Sequence, residues 1–167
     1  MLRKRPRKRA LTPEQAADPE AAGRAAVVLL ARRDYCASEL EQVLRAQGFG
    51  PEAASQVLLE LSERGFINDE RYAQQYVALH AERGYGPLRI ERELSERGLG
   101  PSLIEAALGS GEDWARRARE QRIRRFGLEV PADWPGRARQ ARFLQYRGFS
   151  NDHIRAALGS EVIEDLT

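Results

Sequence analysis

A repeat of fifty residues constrains this chain more than any other feature of its sequence. The segments "GFGPEAASQVL", "GLGPSLIEAAL" and "GFSNDHIRAAL" begin at residues 48, 98 and 148 and align without gaps. Each segment opens on a glycine that precedes an apolar residue, and each ends on a leucine. Self-similarity at a fixed period of this length is typical of a tandem array of structural repeats.

Each repeat is predicted to contain three short helices. Apolar residues recur at steps of three and four, and the alternation typical of a strand is absent. Glycine can take the left-handed conformation that closes a helix, and proline suits the first turn of the next helix. The predicted helices cover 22–33, 37–47, 51–64, 69–82, 87–97, 101–108, 112–126, 136–147 and 151–158.

A three-helix unit of this size buries little apolar surface alone, so neighbouring repeats must complete its core. The sequence therefore predicts an all-α fold, an elongated and curved tandem array of three three-helix repeats with a basic N-terminal tail. The expected segments are a basic, disordered tail over 1–21, repeats over 22–67, 68–111 and 112–158, and an acidic C-terminal tail over 159–167.

Positive charge is concentrated in two segments. Residues 1–9 hold six basic and no acidic side chains, and residues 112–158 hold eleven basic and six acidic ones. Both segments could contact a polyanion, or they could be solvated surface without a partner. Because no pattern for reading bases is present, contact with nucleic acid would be sequence-neutral and sensitive to salt.

The helical periodicity predicts which arginines of the third repeat are exposed. Arg116, Arg117 and Arg124 fall roughly opposite the face that includes Arg122 and Phe126, and we expect them to point outward. An outward arginine cluster suits phosphates or an acidic protein groove.

Several classes of protein find no support in the sequence. Cys36 is the single cysteine, and His80 and His153 lie in different predicted helices, so neither a disulfide framework nor a zinc site nor a catalytic triad is indicated. We expect no enzymatic activity and no cofactor. The longest apolar run, 25–31, is too short to span a membrane, and no apolar segment follows the basic start as in a secretory signal. A cytoplasmic protein is expected.

Some side chains allow two interpretations. Tyr72 and Tyr76 lie one turn apart and could stack on bases, but they also continue an apolar helix face, which favours packing. His80 is expected on the helix surface beside Tyr76, and Cys36 is expected to be a partly buried residue at a helix start.

Four motifs, in this order, resemble the RecX family of regulatory proteins, which control the RecA recombinase. They are "RDYCASEL" (33–40), "GFINDERYAQQYV" (65–77), "GYGPLRIERELSERG" (84–98) and "FLQYRGFSNDHI" (143–154). The resemblance implies a monomer of tandem three-helix repeats without a cofactor. It also implies binding to the RecA filament on single-stranded DNA, in the helical groove, which restrains ATP hydrolysis, strand exchange and coprotease activity.

The resemblance points to family-pattern positions in the first two repeats, namely Arg33, Tyr35, Arg83, Tyr85, Pro87 and Arg89. Where this chain has Cys36 the family usually has serine, a better helix cap, and where it has His80 many members have arginine. The third repeat, with "DWPGRARQARFL", departs furthest from the pattern.

Sequence and resemblance together predict a RecA-filament regulator that works by occupancy. The candidate contacts to RecA or DNA are Arg33, Arg83, Arg89, Arg116, Arg117, Arg124, Lys4, Arg7 and Lys8. One alternative is a sequence-neutral module that binds single-stranded nucleic acid independently of RecA. Another is a helical adaptor for an unrelated protein.

Overall fold

The computed structural model describes residues 11–159, and within this range it contains ten α-helices and no strand. The helices are α1 (Pro13–Ala17), α2 (Pro19–Leu30), α3 (Ala37–Ala46), α4 (Pro51–Glu63), α5 (Asp69–Glu82), α6 (Pro87–Glu96), α7 (Pro101–Leu108), α8 (Trp114–Phe126), α9 (Trp134–Tyr146) and α10 (Asn151–Leu158). All nine predicted helices are present, with ends that agree to within three residues. The all-α fold of three-helix repeats is confirmed.

The helix α1 lies in the segment for which the sequence predicted a disordered tail. Thr12 forms a reciprocal capping box with Gln15, and the carbonyl oxygen of Ala16 accepts a hydrogen bond of 2.8 Å from the amide of Gly50. Leu11 packs against the core of the first repeat. The prediction of disorder is wrong for residues 13–21 because local caps and a docking contact order them; residues 1–10 lie outside the described range.

The chain divides after Tyr72 into two compact units. In the first unit, α2 packs on α3 and α4, and α3 also packs on α4. Their apolar faces form one core that contains Ala22, Ala26, Leu40, Leu44, Phe49, Ala53, Ala54, Val57 and Leu61. The spacing of three and four residues puts these side chains on one side of each helix, as the sequence predicts.

The second unit holds most of the second repeat and the whole of the third. Ile90, Leu94 and Ile104 are buried where α6 packs on α7. In the third repeat, α8 packs on α9 and α10 around a core of Ala118, Ala141, Leu144, Phe149, Ile154, Ala157 and Leu158.

Two glycines join the second and third repeats within this unit. The amide of Gly86 donates to the carbonyl oxygen of Arg147 at 2.8 Å, and the amide of Leu88 donates to that of Gly148 at 3.0 Å. A Cβ on Gly86 would lie 2.5 Å from the amide nitrogen of Phe149, and Gly148 has a φ of +89°. Side chains at these positions would push the two backbones apart, so glycine is required on both sides of the joint.

Candidate functional site

An arginine-lined cavity of about 290 Å³ opens on the surface of the second unit. Its lining residues are Arg83, Gln121, Arg124, Arg125, Phe143 and Arg147. Arg83 follows α5, two arginines belong to the last turn of α8, and Arg147 caps the end of α9. The cavity therefore combines cationic groups from two repeats, and we call it the arginine cavity.

The joint between the repeats positions two of these arginines. An Nη atom of Arg147 donates to the carbonyl oxygen of Arg83 at 3.1 Å. The Arg147 guanidinium carbon lies 5.3 Å from the ring centroid of Phe143 and 5.5 Å from that of Tyr85. Because the backbone of Arg147 also binds the amide of Gly86, the cavity's geometry depends on the joint.

The arginine cavity carries charge that the described residues do not neutralise. Arg83, Arg124 and Arg125 are exposed, and no carboxylate among residues 11–159 pairs with them. An arginine side chain remains protonated in proteins and offers its donors in a fixed fork. An anion with several oxygens would therefore find both charge and directed donors here.

A polar network lies beside the cavity around Glu93. Its carboxylate accepts a hydrogen bond of 2.9 Å from the Nε of Arg89 and one of 2.8 Å from the hydroxyl of Tyr76. Burial raises the pKa of Glu93, but these two hydrogen bonds together with nearby positive charge, chiefly that of Arg89, leave the pKa below its usual value. Arg89 also stacks on Tyr85, with its guanidinium carbon 3.9 Å from the ring centroid.

His80 belongs to this network and is not the surface residue that the sequence predicts. Its ring stacks on that of Tyr76 with centroids 3.7 Å apart, and its Nδ1 lies 2.9 Å from the Tyr76 carbonyl oxygen. Only 13% of the His80 side chain is exposed. Tyr76 is thereby covered on one ring face.

Models of RecX domains match three segments of the chain, in order. The first three-helix domain matches residues 22–61, the second matches 68–108 and the third matches 112–158. The chain belongs to the RecX family. Across the described residues, no helix is long and apolar enough to cross a bilayer, and no three metal-ligating side chains cluster.

Relatives named regulatory protein RecX match nearly the whole chain. The protein from Halorhodospira halophila is 43% identical over 153 residues, which cover 91% of this chain and 95% of the relative. The protein from Pseudomonas fluorescens strain Pf-5 is 42% identical over 143 residues, which cover 85% and 92%. A crystal structure of RecX from Lactobacillus salivarius has a similar fold, with a TM-score of 0.72 and 23% identity over 83% of this chain and 93% of that one.

Two of the three family-pattern arginines that the RecX resemblance indicates are held by a carboxylate and a tyrosine. Arg33 donates two hydrogen bonds of 2.8 Å to the carboxylate of Glu39 and lies 3.6 Å from the ring centroid of Tyr35. Arg89 donates a hydrogen bond of 2.9 Å from its Nε to Glu93 and lies over the ring of Tyr85. Arg83 forms no such pair within residues 11–159 and lies in the arginine cavity.

The arginines predicted in the third RecX repeat differ from one another in the structure. Arg116 is exposed as predicted and pairs with Glu120 at 2.6 Å. The prediction is wrong for Arg117, whose side chain is only 21% exposed and whose Nε lies 2.9 Å from a carboxylate oxygen of Glu112. Arg124 lines the arginine cavity. Lys4, Arg7 and Lys8 lie outside the described residues.

Sequence reasoning missed four lining residues of the cavity, namely Gln121, Arg125, Phe143 and Arg147. One signal was present, because Arg147 precedes the repeat glycine Gly148 as Arg97 precedes Gly98. Arg122, on the face opposite the predicted outward arginines, is 3% exposed and donates to the carbonyl oxygens of three consecutive residues, 127–129.

Proposed function

We propose that this protein regulates RecA by binding the RecA filament on single-stranded DNA. It lodges in the helical groove of the filament as a monomer, in the cytoplasm, and restrains ATP hydrolysis, strand exchange and coprotease activity. The observation that carries the proposal is the match of all three repeats, in order, to the three domains of RecX. An α-helical repeat protein of this kind acts by presenting an extended binding surface.

The distribution of charge supports regulation by occupancy. Residues 10–68 hold nine acidic and five basic side chains, which suits contact with a basic protein surface. The second unit instead offers the arginine cavity, whose cationic groups suit filament-bound DNA. A protein that contacts both components would hold neighbouring RecA subunits in place without any chemical step.

The test is the single-stranded-DNA-dependent ATPase of RecA from the same source, titrated with this protein. We expect inhibition that follows the ratio of this protein to RecA and appears below one molecule per RecA subunit. Adding the protein to preformed filaments and to free RecA separates action on finished filaments from action on growth. Unchanged ATPase and strand exchange at stoichiometric amounts would contradict the proposal.

A second candidate is a module that binds single-stranded nucleic acid independently of RecA. The four arginines that line the cavity favour it, as does the basic segment 1–9. Such a module would lower the ATPase only by competing for DNA, so excess single-stranded DNA would restore activity. Inhibition that persists in excess DNA supports the filament regulator.

A further inference from the structure

We propose that the arginine cavity binds one backbone phosphate of a single nucleic-acid strand and that the adjacent Tyr146 stacks on a neighbouring base. This inference rests on the proposed function, since it names the surface of this protein that meets DNA in the filament. The subsite is built across two repeats, with Arg83 from the second and Arg124, Arg125 and Arg147 from the third.

The size and lining of the cavity suit a phosphodiester. At about 290 Å³ the cavity is at the lower limit of small-molecule pockets, which begin near ~300 Å³, so it suits a group the size of a phosphate with its sugar. Arginine forks bind phosphate oxygens in pairs, and the Gln121 amide adds neutral donors. Phe143 contributes an apolar wall, held edge-on against Phe126 with ring centroids 5.3 Å apart.

The backbone of Gly84 fixes the position of the Gln121 side chain. A Cβ on Gly84 would lie 2.8 Å from the Nε2 atom of Gln121 and closer to its carbonyl, so the amide packs directly on the glycine backbone. Gly84 has a φ of +83° and immediately follows Arg83 in the chain. The turn that presents Arg83 thus also provides the space that Gln121 occupies at the cavity.

Tyr146 supplies the aromatic part of the subsite. It is 81% exposed, which makes it the most exposed large hydrophobic side chain among residues 11–159. It precedes Arg147, and it lies near Arg89, whose pKa is raised chiefly by the hydrogen bond to Glu93 and further by the nearby Tyr85 and Tyr146. Every base offers a face to an exposed ring, so stacking here would be sequence-neutral.

This combination favours a nucleic-acid strand over an acidic protein segment. A carboxylate-rich protein segment would form ion pairs with the arginines but would offer no planar group to stack on the exposed ring of Tyr146. A single strand presents phosphates and bases in alternation, which matches an arginine cavity with an exposed aromatic residue beside it. The two possibilities predict different results with bare DNA.

The test is fluorescence anisotropy of a labelled oligo(dT) strand with the full-length chain, repeated at several salt concentrations. We expect R124A/R125A to bind about 10- to 100-fold more weakly, with the salt dependence of log K reduced by about 0.7 for the one lost phosphate contact. The matched control is R92A/R155A, which removes two exposed arginines of the same unit that pair with Glu96 and Asp152. The control should remain within about twofold of the unmodified chain, since exposed ion pairs contribute little.

Tyr146 has its own conservative control. We expect Y146A to weaken oligo(dT) binding by about 5- to 100-fold and Y146F to bind as the unmodified chain does, because stacking needs the ring and not the hydroxyl. Equal binding by Y146A and the unmodified chain would refute the stacking role. Circular dichroism of each variant verifies that the exposed substitutions leave the fold intact.

The outcomes separate this inference from the proposed function. Equal losses in R124A/R125A and R92A/R155A would mean diffuse electrostatic attraction and would overturn the subsite. Loss of RecA inhibition in R124A/R125A, without any binding of bare DNA by the unmodified chain, would assign the cavity to a protein contact and also overturn it. Cavity-dependent DNA binding with no effect on RecA ATPase would instead uphold the subsite and refute the proposed function.

Discussion

Replacing Gly86 with alanine should loosen the joint between the second and third repeats. The new Cβ would lie 2.5 Å from the amide nitrogen of Phe149, about 1 Å closer than an ordinary contact between nonbonded atoms. Relieving this overlap requires the two backbones to separate by a similar distance. That separation breaks the hydrogen bonds from Gly86 to Arg147, at 2.8 Å, and from Leu88 to Gly148, at 3.0 Å.

The expected loss follows from these two hydrogen bonds. Each contributes about 1 kcal/mol net, and a buried group left without a partner costs about 1–3 kcal/mol, so G86A should lower the free energy of unfolding by about 2–4 kcal/mol. The backbone conformation itself is not the cause, because Gly86 has a φ of −89° that alanine adopts readily.

Gly100 provides the matched control. Like Gly86 it caps a helix and precedes a proline, and its φ of −71° is also open to alanine. A Cβ there would meet nothing within 4 Å. The poorer cap and the stiffer unfolded chain affect G86A and G100A alike, so the difference between them isolates the joint.

The measurement is urea unfolding of both variants and the unmodified chain, followed by circular dichroism at 222 nm. Because the joint also positions Arg147, G86A should bind oligo(dT) more weakly than G100A does. Equal unfolding midpoints for G86A and G100A would refute the role of close backbone approach at this joint.

Three further predictions concern buried polar groups. Burial lowers the pKa of His153, whose Nδ1 accepts a hydrogen bond from the amide of Ser150. The free energy of unfolding should therefore fall as the pH drops through about 6.5 toward the lower pKa of the folded state. H153Q keeps an acceptor and should remove this dependence in urea unfolding between pH 7 and 5. R122M keeps the side-chain volume but loses the hydrogen bonds to the loop after α8. It should lower the free energy of unfolding by about 3 kcal/mol and speed limited proteolysis in that loop. An unchanged cleavage rate would contradict this. Burial raises the pKa of Cys36, so its thiol should react with Ellman's reagent far more slowly in the folded chain than in urea, and similar rates would show that the site opens readily.

Local chemistry made the helices predictable. The repeat glycines Gly48, Gly98 and Gly148 have φ values of +104°, +86° and +89°, so each closes a helix in the left-handed conformation that the sequence indicates. The apolar spacing likewise indicated the face of α8 that holds the buried Ala118. Both signals act within a few residues, where the chain's own hydrogen bonds decide the outcome.

The candidate site was less predictable because the exposure of each arginine depends on its surroundings in the folded chain, which helical periodicity does not describe. Helical periodicity alone could not separate Arg116 from Arg117, although the side chain of the first is 55% exposed and that of the second only 21%. The tail boundary at residue 21 failed for a similar reason, since α1 is ordered partly by Gly50, which is far from it in sequence.

The sequence by itself determined the fifty-residue period, the helix ends and the segments of opposite charge, because these depend on interactions between residues close in the chain. The tertiary structure alone decided that Arg83 meets Arg147, 64 residues away, in one cavity with Arg124 and Arg125. That meeting depends on two backbones approaching at Gly86 and Gly148. Packing between repeats decides which side chains such a contact brings together, and the local sequence pattern of each repeat does not describe that packing.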